Sequence, residues 1–170
     1  MMGKGKRLLP LAAALVAVSI LAACGGPPAT MSPGGSQAPT MPAAPPVPFA
    51  QAKFSFAPVT GAPASVLNAM SAQLGREAAA QQVTLVPSGD PGATYVVKGY
   101  LSAVGDVSGT ILVYVWDIFD TSGRRVHRIS GQETSAGGSS SDPWAGVDTS
   151  TVSGVARRTI SAIVAWGKTG

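Results

Sequence analysis

The stretch Thr110-Ile111-Leu112-Val113-Tyr114-Val115-Trp116-Asp117-Ile118-Phe119-Asp120 carries the strongest strand signal in the chain. It is dominated by β-branched and aromatic residues, which favour strands. Residues 111–116 are apolar at every position, which predicts a central strand covered along most of its length. The following Asp120-Thr121-Ser122-Gly123 predicts a tight hairpin turn with a positive φ at Gly123. Residues 124–133 should therefore return antiparallel.

On the amino-terminal side of this strand, apolar and polar residues alternate in three more segments, residues 53–59, 83–86 and 94–104, each typical of a strand. Residues 105–109 are expected to form a connecting loop. Between the first two segments, Pro63 opens a predicted helix that runs to about Gln82. Its apolar stripe has a spacing of four and consists of Val66, Met70, Leu74 and Ala78.

On the carboxyl-terminal side, Asp142-Pro143 has the pattern of a helix N-cap followed by a proline in the first turn. The last helix is predicted to begin near Trp144, or to restart near Asp148, and to run to Trp166, with Gly167 ending it. The predicted order is β-α-β-β-β-β-α. We therefore expect an α/β fold of the α+β-like kind, with a small mixed or mainly antiparallel sheet of about four or five strands and two helices packed on it.

The amino terminus has the three parts of a secretory signal peptide. Its basic residues are Lys4, Lys6 and Arg7. The apolar run that follows, residues 8–21, is shorter than the roughly 20 residues of a membrane-spanning helix. Leu21-Ala22-Ala23-Cys24 then resembles the lipobox read by prolipoprotein signal peptidase. This resemblance implies that residues 1–23 are removed, that the thiol of Cys24 carries diacylglycerol, and that a third acyl chain is added to the new amino terminus.

The segment after Cys24 differs sharply from the rest of the chain. Residues 25–52 contain eight of the 14 prolines and no charged residue. Such a composition buries too little apolar surface to offset the entropy lost on ordering. We expect residues 24–52 to be a disordered, partly polyproline-II tether, which acts either as a leash or as a simple spacer. Residues 53–170 then have the size of a single domain.

Charge and cysteine content exclude several classes of function. The formal net charge of +4 includes the three basic residues of the signal peptide. The mature chain keeps nine basic against eight acidic residues, a net charge of +1. A nucleic-acid-binding surface is therefore not expected. Because Cys24 is the only cysteine, its acylation leaves no thiol for a disulfide, a metal or redox chemistry.

No group of residues has the spacing of a catalytic or metal site. His127 is the only histidine, and one imidazole without cysteines is not a zinc site. The serines at 139–141 lack the glycine-flanked pattern of a nucleophile elbow. Asp117 and Asp120 should point to opposite faces of their strand, which argues against a carboxylate pair. We expect no catalytic residue, no metal and no cofactor.

Three arginines near the predicted hairpin turn are candidates for contacting a partner: Arg124, Arg125 and Arg128. Guanidinium groups suit bidentate contacts with carboxylates or phosphates. The alternative is a solvated hairpin end in which these arginines pair with Asp120 and Glu133. Trp144 is a further candidate, either as a binding anchor or as a ring that packs a helix start onto the sheet. Tyr100 and Tyr114 are expected in the core or in cross-strand pairs.

Two resemblances to known proteins span the predicted domain. The first rests on Phe56-Ala57-Pro58-Val59-Thr60-Gly61-Ala62-Pro63, Gly89-Asp90-Pro91, Lys98-Gly99-Tyr100, Tyr114-Val115-Trp116-Asp117, His127-Arg128-Ile129-Ser130-Gly131-Gln132-Glu133 and Asp142-Pro143-Trp144. Together these segments look like small, uncharacterised alphaproteobacterial lipoproteins. This resemblance implies no activity.

The second resemblance is looser and rests on element order. A helix, a short strand, Tyr95-Val96-Val97-Lys98-Gly99-Tyr100, a strand ending in Trp116-Asp117-Ile118-Phe119-Asp120-Thr121-Ser122-Gly123, a return strand and a helix resemble the α/β domain of envelope lipoproteins. Examples are the outer-membrane activators of penicillin-binding proteins, the curli secretion lipoprotein and the amino-terminal domain of the Tol-system β-propeller protein. This resemblance implies protein–protein binding in the periplasm without catalytic residues.

One function and two alternatives follow. We expect a membrane-anchored lipoprotein that acts as a non-enzymatic binding or adaptor module for another envelope protein. Gly25 after the acylated cysteine favours the inner leaflet of the outer membrane, by analogy with enterobacterial sorting, with the domain in the periplasm. The first alternative is a small-ligand carrier, which requires an apolar pocket on the order of several hundred Å³. The second is an enzyme acting on a cell-wall or lipid substrate, which would depend on His127 or a bound metal.

Overall fold

In the described part of the chain, five strands and two helices occur in the order predicted from the sequence, β-α-β-β-β-β-α. The computed structural model describes residues 47–169. The elements are β1 (Lys53–Phe56), α1 (Ala64–Ala80), β2 (Thr84–Val86), β3 (Tyr95–Asp106), β4 (Gly109–Phe119), β5 (Arg125–Ser135) and α2 (Thr149–Gly167). The predicted signal peptide, Cys24 and most of the predicted tether lie outside the described residues. Neither α1 nor α2 combines the length and apolar character that a membrane crossing requires.

The sheet is mixed, with the strand order β2-β1-β3-β4-β5. Strand β1 is parallel to both of its neighbours, β2 and β3. Helix α1 makes the crossover that two adjacent parallel strands need. Strands β3, β4 and β5 form an antiparallel meander joined by short turns. The predicted fold class is therefore confirmed.

Both helices pack on the same face of the sheet and on each other. The predicted stripe of α1 is buried in full. From α2 the core receives Val152, Val155, Ala156, Ile160 and Ile163. The sheet contributes alternate residues of β3 and β4, which are Tyr95, Val97, Leu101, Leu112, Tyr114, Trp116 and Ile118. Alternation with a period of two therefore selects the face on which the core is built.

Strand β4 differs from its prediction in one respect. The strand is internal to the sheet, between β3 and β5, but the prediction that it is covered along most of its length holds for one face only, because the other face is open. Leu112 is fully buried, whereas its neighbour Ile111 is 37% exposed. The reason is that α1 and α2 both cover one side of the sheet, so no element of the described chain covers the other.

The two hairpin turns are held by aspartates. Where a loop over residues 105–109 was expected, Asp106 pairs directly with Gly109 and the turn is tight. The Asp106 carboxylate accepts a hydrogen bond from the Ser108 amide at 2.7 Å. At the β4–β5 turn, Asp120 accepts the Arg124 amide at 3.0 Å, and Gly123 has the predicted positive φ of 79°.

Helix α2 begins at the second of the two predicted sites. Residues Pro143–Gly146 form a separate 3-10 turn, and Asp148 caps α2 by accepting the Thr151 amide at 2.8 Å. The helix ends at Gly167, but this glycine has no positive φ. A Cβ there would lie 2.1 Å from the ring of Phe49, so Gly167 serves close packing. Phe49 belongs to a 3-10 turn, Phe49–Gln51, so folded structure begins before Lys53.

Candidate binding surfaces

The face of the sheet that points away from the helices carries large exposed apolar side chains. Tyr100 is 55% exposed, Val104 60% and Ile111 37%. Their neighbours in sequence, Leu101 and Leu112, are fully buried on the other face. Exposure of this kind on adjacent strands is informative, because soluble monomers rarely leave contiguous apolar area uncovered without a function.

Twelve residues of β3, β4 and β5 form four cross-strand rows on this face, and we refer to them together as the open face. Beginning after the pair Val96–Phe119 at the β4–β5 turn, the rows are Lys98–Asp117–Arg128, Tyr100–Val115–Ser130, Ser102–Val113–Gln132 and Val104–Ile111–Thr134. The first row is charged throughout. The other three rows combine apolar residues of β3 and β4 with neutral polar residues of β5. The open face therefore has an apolar centre with a charged end.

The predicted arginine cluster is split by the structure. Arg128 makes a bidentate pair with Asp117, with both nitrogen–oxygen distances at 2.7 Å. Arg125 approaches the same carboxylate at 3.6 Å. Arg124 instead pairs with Asp120 of the turn at 3.1 Å. Two of the three predicted arginines therefore meet at the charged row of the open face.

The carboxylates at this end are held ionised. The hydrogen bonds from Arg128 lower the pKa of Asp117 below its ordinary value, and the charges of Arg128 and Arg125 act in the same direction. Hydrogen bonds, first from Ser122 and then from Arg124, lower the pKa of Asp120 to about 2. Three arginines contact these two carboxylates, and Lys98 lies opposite Asp117 in the same row with its ammonium over the ring of Phe119. The charged end therefore has an excess of positive charge available to an acidic partner.

The alternative pairing expected for the arginines is met only in part. Asp120 does pair with Arg124, but Glu133 pairs with Arg158 of α2 at 2.8 Å. Glu133 therefore lies on the covered side of β5 and ties the edge strand to the helix. None of the three candidate arginines is neutralised by it.

Trp144 lies apart from the arginines. It belongs to the 3-10 turn, which contacts β3 and β4, and its half-buried ring packs against the core. The turn is held to the sheet by Thr110, whose buried hydroxyl contacts the carbonyl oxygen of Pro143 at 2.8 Å. Tyr114 is a core residue, whereas Tyr100 lies exposed on the open face. The structure thus brings Tyr100 and Arg128 into neighbouring rows and leaves Trp144 on the covered side.

The apolar part of the open face was missed in the sequence. Val104 was predicted as the last residue of a strand, with no face assigned, and Ile111 was predicted in a covered strand. The available signal was the uninterrupted apolar run of β4, which is compatible with either a covered or an interaction-prone second face. Local pattern does not separate these two cases, because the number of covering layers is a tertiary property.

A cleft of about 500 Å³ lies on the helix side of the sheet. It opens where β1 and β2 end, against the part of α1 between Leu67 and Leu74. Its apolar wall consists of Phe56, Val59, Leu67, Leu74, Leu85 and Val86. No ionisable side chain lines it. The cleft is separate from the open face, because the sheet lies between them.

His127 is partly buried on the covered side of β5. Its ring stacks on Trp166 of α2, with the centroids 5.2 Å apart and the planes at 4°. Burial lowers the pKa of His127, and Nδ1 has no hydrogen-bond partner among the described residues. Over residues 47–169, no three histidine, cysteine or carboxylate side chains come together as a metal site. The surroundings of His127 are those of a packed side chain.

Comparison with known proteins yields structural likeness at low sequence identity. No protein-family model and no curated protein matches the sequence. The PelC dodecamer from Paraburkholderia phytofirmans is 16% identical with a TM-score of 0.45, over 68% of this chain and 91% of that one. Lipoprotein GNA1162 from Neisseria meningitidis is 14% identical with a TM-score of 0.41, over 64% and 96%. TolB from Acinetobacter baumannii is 13% identical with a TM-score of 0.36, over 66% and 27%.

These three structures include a lipoprotein and TolB. The resemblance to an alphaproteobacterial family finds no match. At identities of 16% and below and TM-scores under 0.5, the likenesses show neither a shared family nor a shared function.

Proposed function

We propose that this chain is a lipid-anchored lipoprotein of the bacterial cell envelope whose single domain binds another envelope protein through the open face. In this proposal Cys24 carries the acyl chains and the proline-rich segment is the tether. The anchor inserts into the inner leaflet of the outer membrane, and the domain works in the periplasm. The proposal assigns no catalytic step to any residue.

One observation carries the binding role, namely the exposed apolar rows beside a positively charged row. Tyr100 is the largest exposed side chain of the open face and adjoins the Asp117–Arg128 pair in the next row. Tyrosine and arginine are enriched among the residues that dominate binding energy at protein interfaces. An apolar centre with a charged margin is also the usual anatomy of such interfaces. The partner surface should therefore be apolar with an acidic group at one end.

The chemistry of the remaining polar groups supports a non-enzymatic role. The ring of His127 is stacked on Trp166 and faces away from the open face. Asp117 is engaged by two arginines, which keeps it a carboxylate and a poor proton donor.

Site-specific photo-crosslinking in living cells tests this proposal. A photoreactive residue at Tyr100 in the anchored protein should give one dominant adduct with an envelope protein, which mass spectrometry then identifies. The matched control carries the same residue at Arg157, an exposed position on α2. A Cys24→Ser chain, which stays unanchored, should lose the adduct. Equal labelling from both positions, or no adduct at all, contradicts the proposal.

The arginines provide a second, graded test of the same surface. Replacing Arg124, Arg125 and Arg128 together by serine should weaken partner capture without unfolding the domain. The control is Arg157→Ser, which removes an exposed arginine elsewhere. Unchanged capture by the triple variant would remove the charged row from the interface.

A further inference from the structure

The cleft between α1 and the ends of β1 and β2 has the dimensions of a ligand site. Its volume of about 500 Å³ falls within the range of about 300–1,000 Å³ that is typical of small-molecule pockets. It lies outside the carboxyl ends of two parallel strands joined by a crossover helix. In open α/β sheets this is where ligands bind most often.

Hydrogen bonds and ring packing outside the cleft fix the position of its walls. The hydroxyl of Ser55, which is buried in β1, donates to the carbonyl of Pro87 at 2.9 Å and fixes the chain just after β2. The Val83 amide donates to the Ala78 carbonyl at 2.9 Å and joins the end of α1 to the start of β2. The ring of Phe56 packs edge-on against the buried Trp116. The cleft is thus part of the folded structure and needs little rearrangement to accept a ligand.

The lining selects the charge of an occupant. Besides the six apolar side chains, it includes three neutral polar ones, Asn68, Ser71 and Ser88. These three make no side-chain hydrogen bond to another described residue, so their donors and acceptors are available. With no ionisable group in the lining, a charged occupant would lose hydration without gaining an ion pair. A neutral occupant gives up much less hydration free energy on entering the cleft.

We propose that this cleft binds a neutral, amphipathic small molecule, with its apolar body against the wall formed by Phe56, Leu67 and Leu85. A hydroxyl, carbonyl or amide of the ligand would meet the polar groups of Asn68 and Ser71 on α1. This site goes beyond the adaptor function and is independent of it, because the sheet separates the cleft from the open face.

Two fluorescent probes with one skeleton test the charge preference. The neutral probe is N-phenyl-1-naphthylamine, and its sulfonated relative 8-anilino-1-naphthalenesulfonate is the charged counterpart. The complete mature chain is used with Cys24→Ser, so that neither acyl chains nor detergent take up the probe. We expect saturable binding of the neutral probe and about tenfold or more weaker binding of the sulfonate.

A matched pair of variants on α1 places the probe in the cleft. Ser71→Trp fills the cleft and should weaken binding of the neutral probe about tenfold or more. Ala72→Trp is the control, because Ala72 is also exposed on α1 but does not line the cleft. It should change affinity by less than about twofold. Methyl NMR shifts of Leu67 and Leu85 on addition of the probe test the same site in the chain without either tryptophan.

Three outcomes overturn the ligand site. They are the absence of saturable binding, binding that Ser71→Trp leaves unchanged while Leu67 and Leu85 do not respond, and binding that is lost in Tyr100→Glu on the open face. None of them bears on partner capture, which Ser71→Trp should leave intact. Failure of the ligand site and failure of the adaptor proposal are therefore distinguishable.

Discussion

Gly99 of β3 lies directly opposite Trp116 of β4, and the indole ring fills the space that any other residue at position 99 would need. A Cβ built on Gly99 would lie 2.0 Å from Cζ3 of the ring. Trp116 is fully buried and also packs against Phe56. The largest fully buried side chain thus packs over a glycine in the neighbouring strand.

Gly99→Ala should destabilise the domain by about 2–3 kcal/mol, because the buried indole has to move away from the new methyl group in a close-packed core. Urea unfolding followed by tryptophan fluorescence measures the change. Gly75→Ala is the matched control, since a Cβ there meets no atom within 4 Å in the exposed middle of α1. It should stabilise the domain by about 0.5–1 kcal/mol through helix propensity. Similar effects of the two changes would contradict the packing argument.

Arg128→Ala should raise the pKa of Asp117. The hydrogen bonds from Arg128 are the largest cause of its lowered pKa, and Arg125 alone approaches the carboxylate less closely. Carbon-13 NMR of the carboxyl group against pH measures the shift. Arg124→Ala is the control, because Arg124 pairs with Asp120, and it should leave the Asp117 titration unchanged. An Asp117 pKa that is insensitive to Arg128 would show that the pair does not persist in solution.

Asp148→Ala should lower the melting temperature near neutral pH by removing the cap of α2. The hydrogen bond from the Thr151 amide is the main reason that the pKa of Asp148 is lowered to about 2. A depressed carboxyl pKa contributes stability above about pH 4, and this contribution is lost as the pH falls through about 2. The difference between the Ala variant and the parent should therefore shrink in acid. Asp148→Asn, which caps without ionising, should destabilise less than Asp148→Ala at neutral pH. The difference between the Asn and Ala variants should not depend on pH in thermal melts followed by circular dichroism, because neither side chain titrates.

The domain should lose stability when the pH falls below about 6.5. Burial lowers the pKa of His127 from its ordinary value of 6.5, so the unfolded chain binds the proton more tightly than the folded one. The stability that neutral His127 contributes is fully present above the pKa of His127 in the unfolded chain. It is lost as the pH falls toward the lower pKa of His127 in the folded chain. Chemical unfolding at a series of pH values between about 8 and 5 measures it. His127→Gln should flatten the profile, since the chain has no other histidine; a profile equally steep in this variant would contradict the assignment.

The elements themselves were predictable from local pattern. The spacing of four in Val66, Met70, Leu74 and Ala78 predicts the buried stripe of α1, and the structure buries all four. The positive φ at Gly123 follows from its place in the turn. These features depend on residues close together in the chain, where periods of 3.6 and 2 and the conformational freedom of glycine decide the outcome.

The sites were not predictable in the same way. The arginines were found in the sequence, but their separation between Asp117 and Asp120 depends on strand register. The cleft joins Phe56, Leu67 and Leu85, which no short segment contains together.

Local sequence patterns were therefore enough to identify the segments that become strands and helices and their order along the chain. The packing of α1 and α2 on the same face of the sheet is set by long-range contacts and could not be read from these patterns. This packing leaves Tyr100, Val104 and Ile111 without a covering layer. Sequence periodicity shows which sides of a strand or helix are apolar. Which side of the sheet becomes covered depends instead on where the crossover helix α1 and the last helix α2 pack.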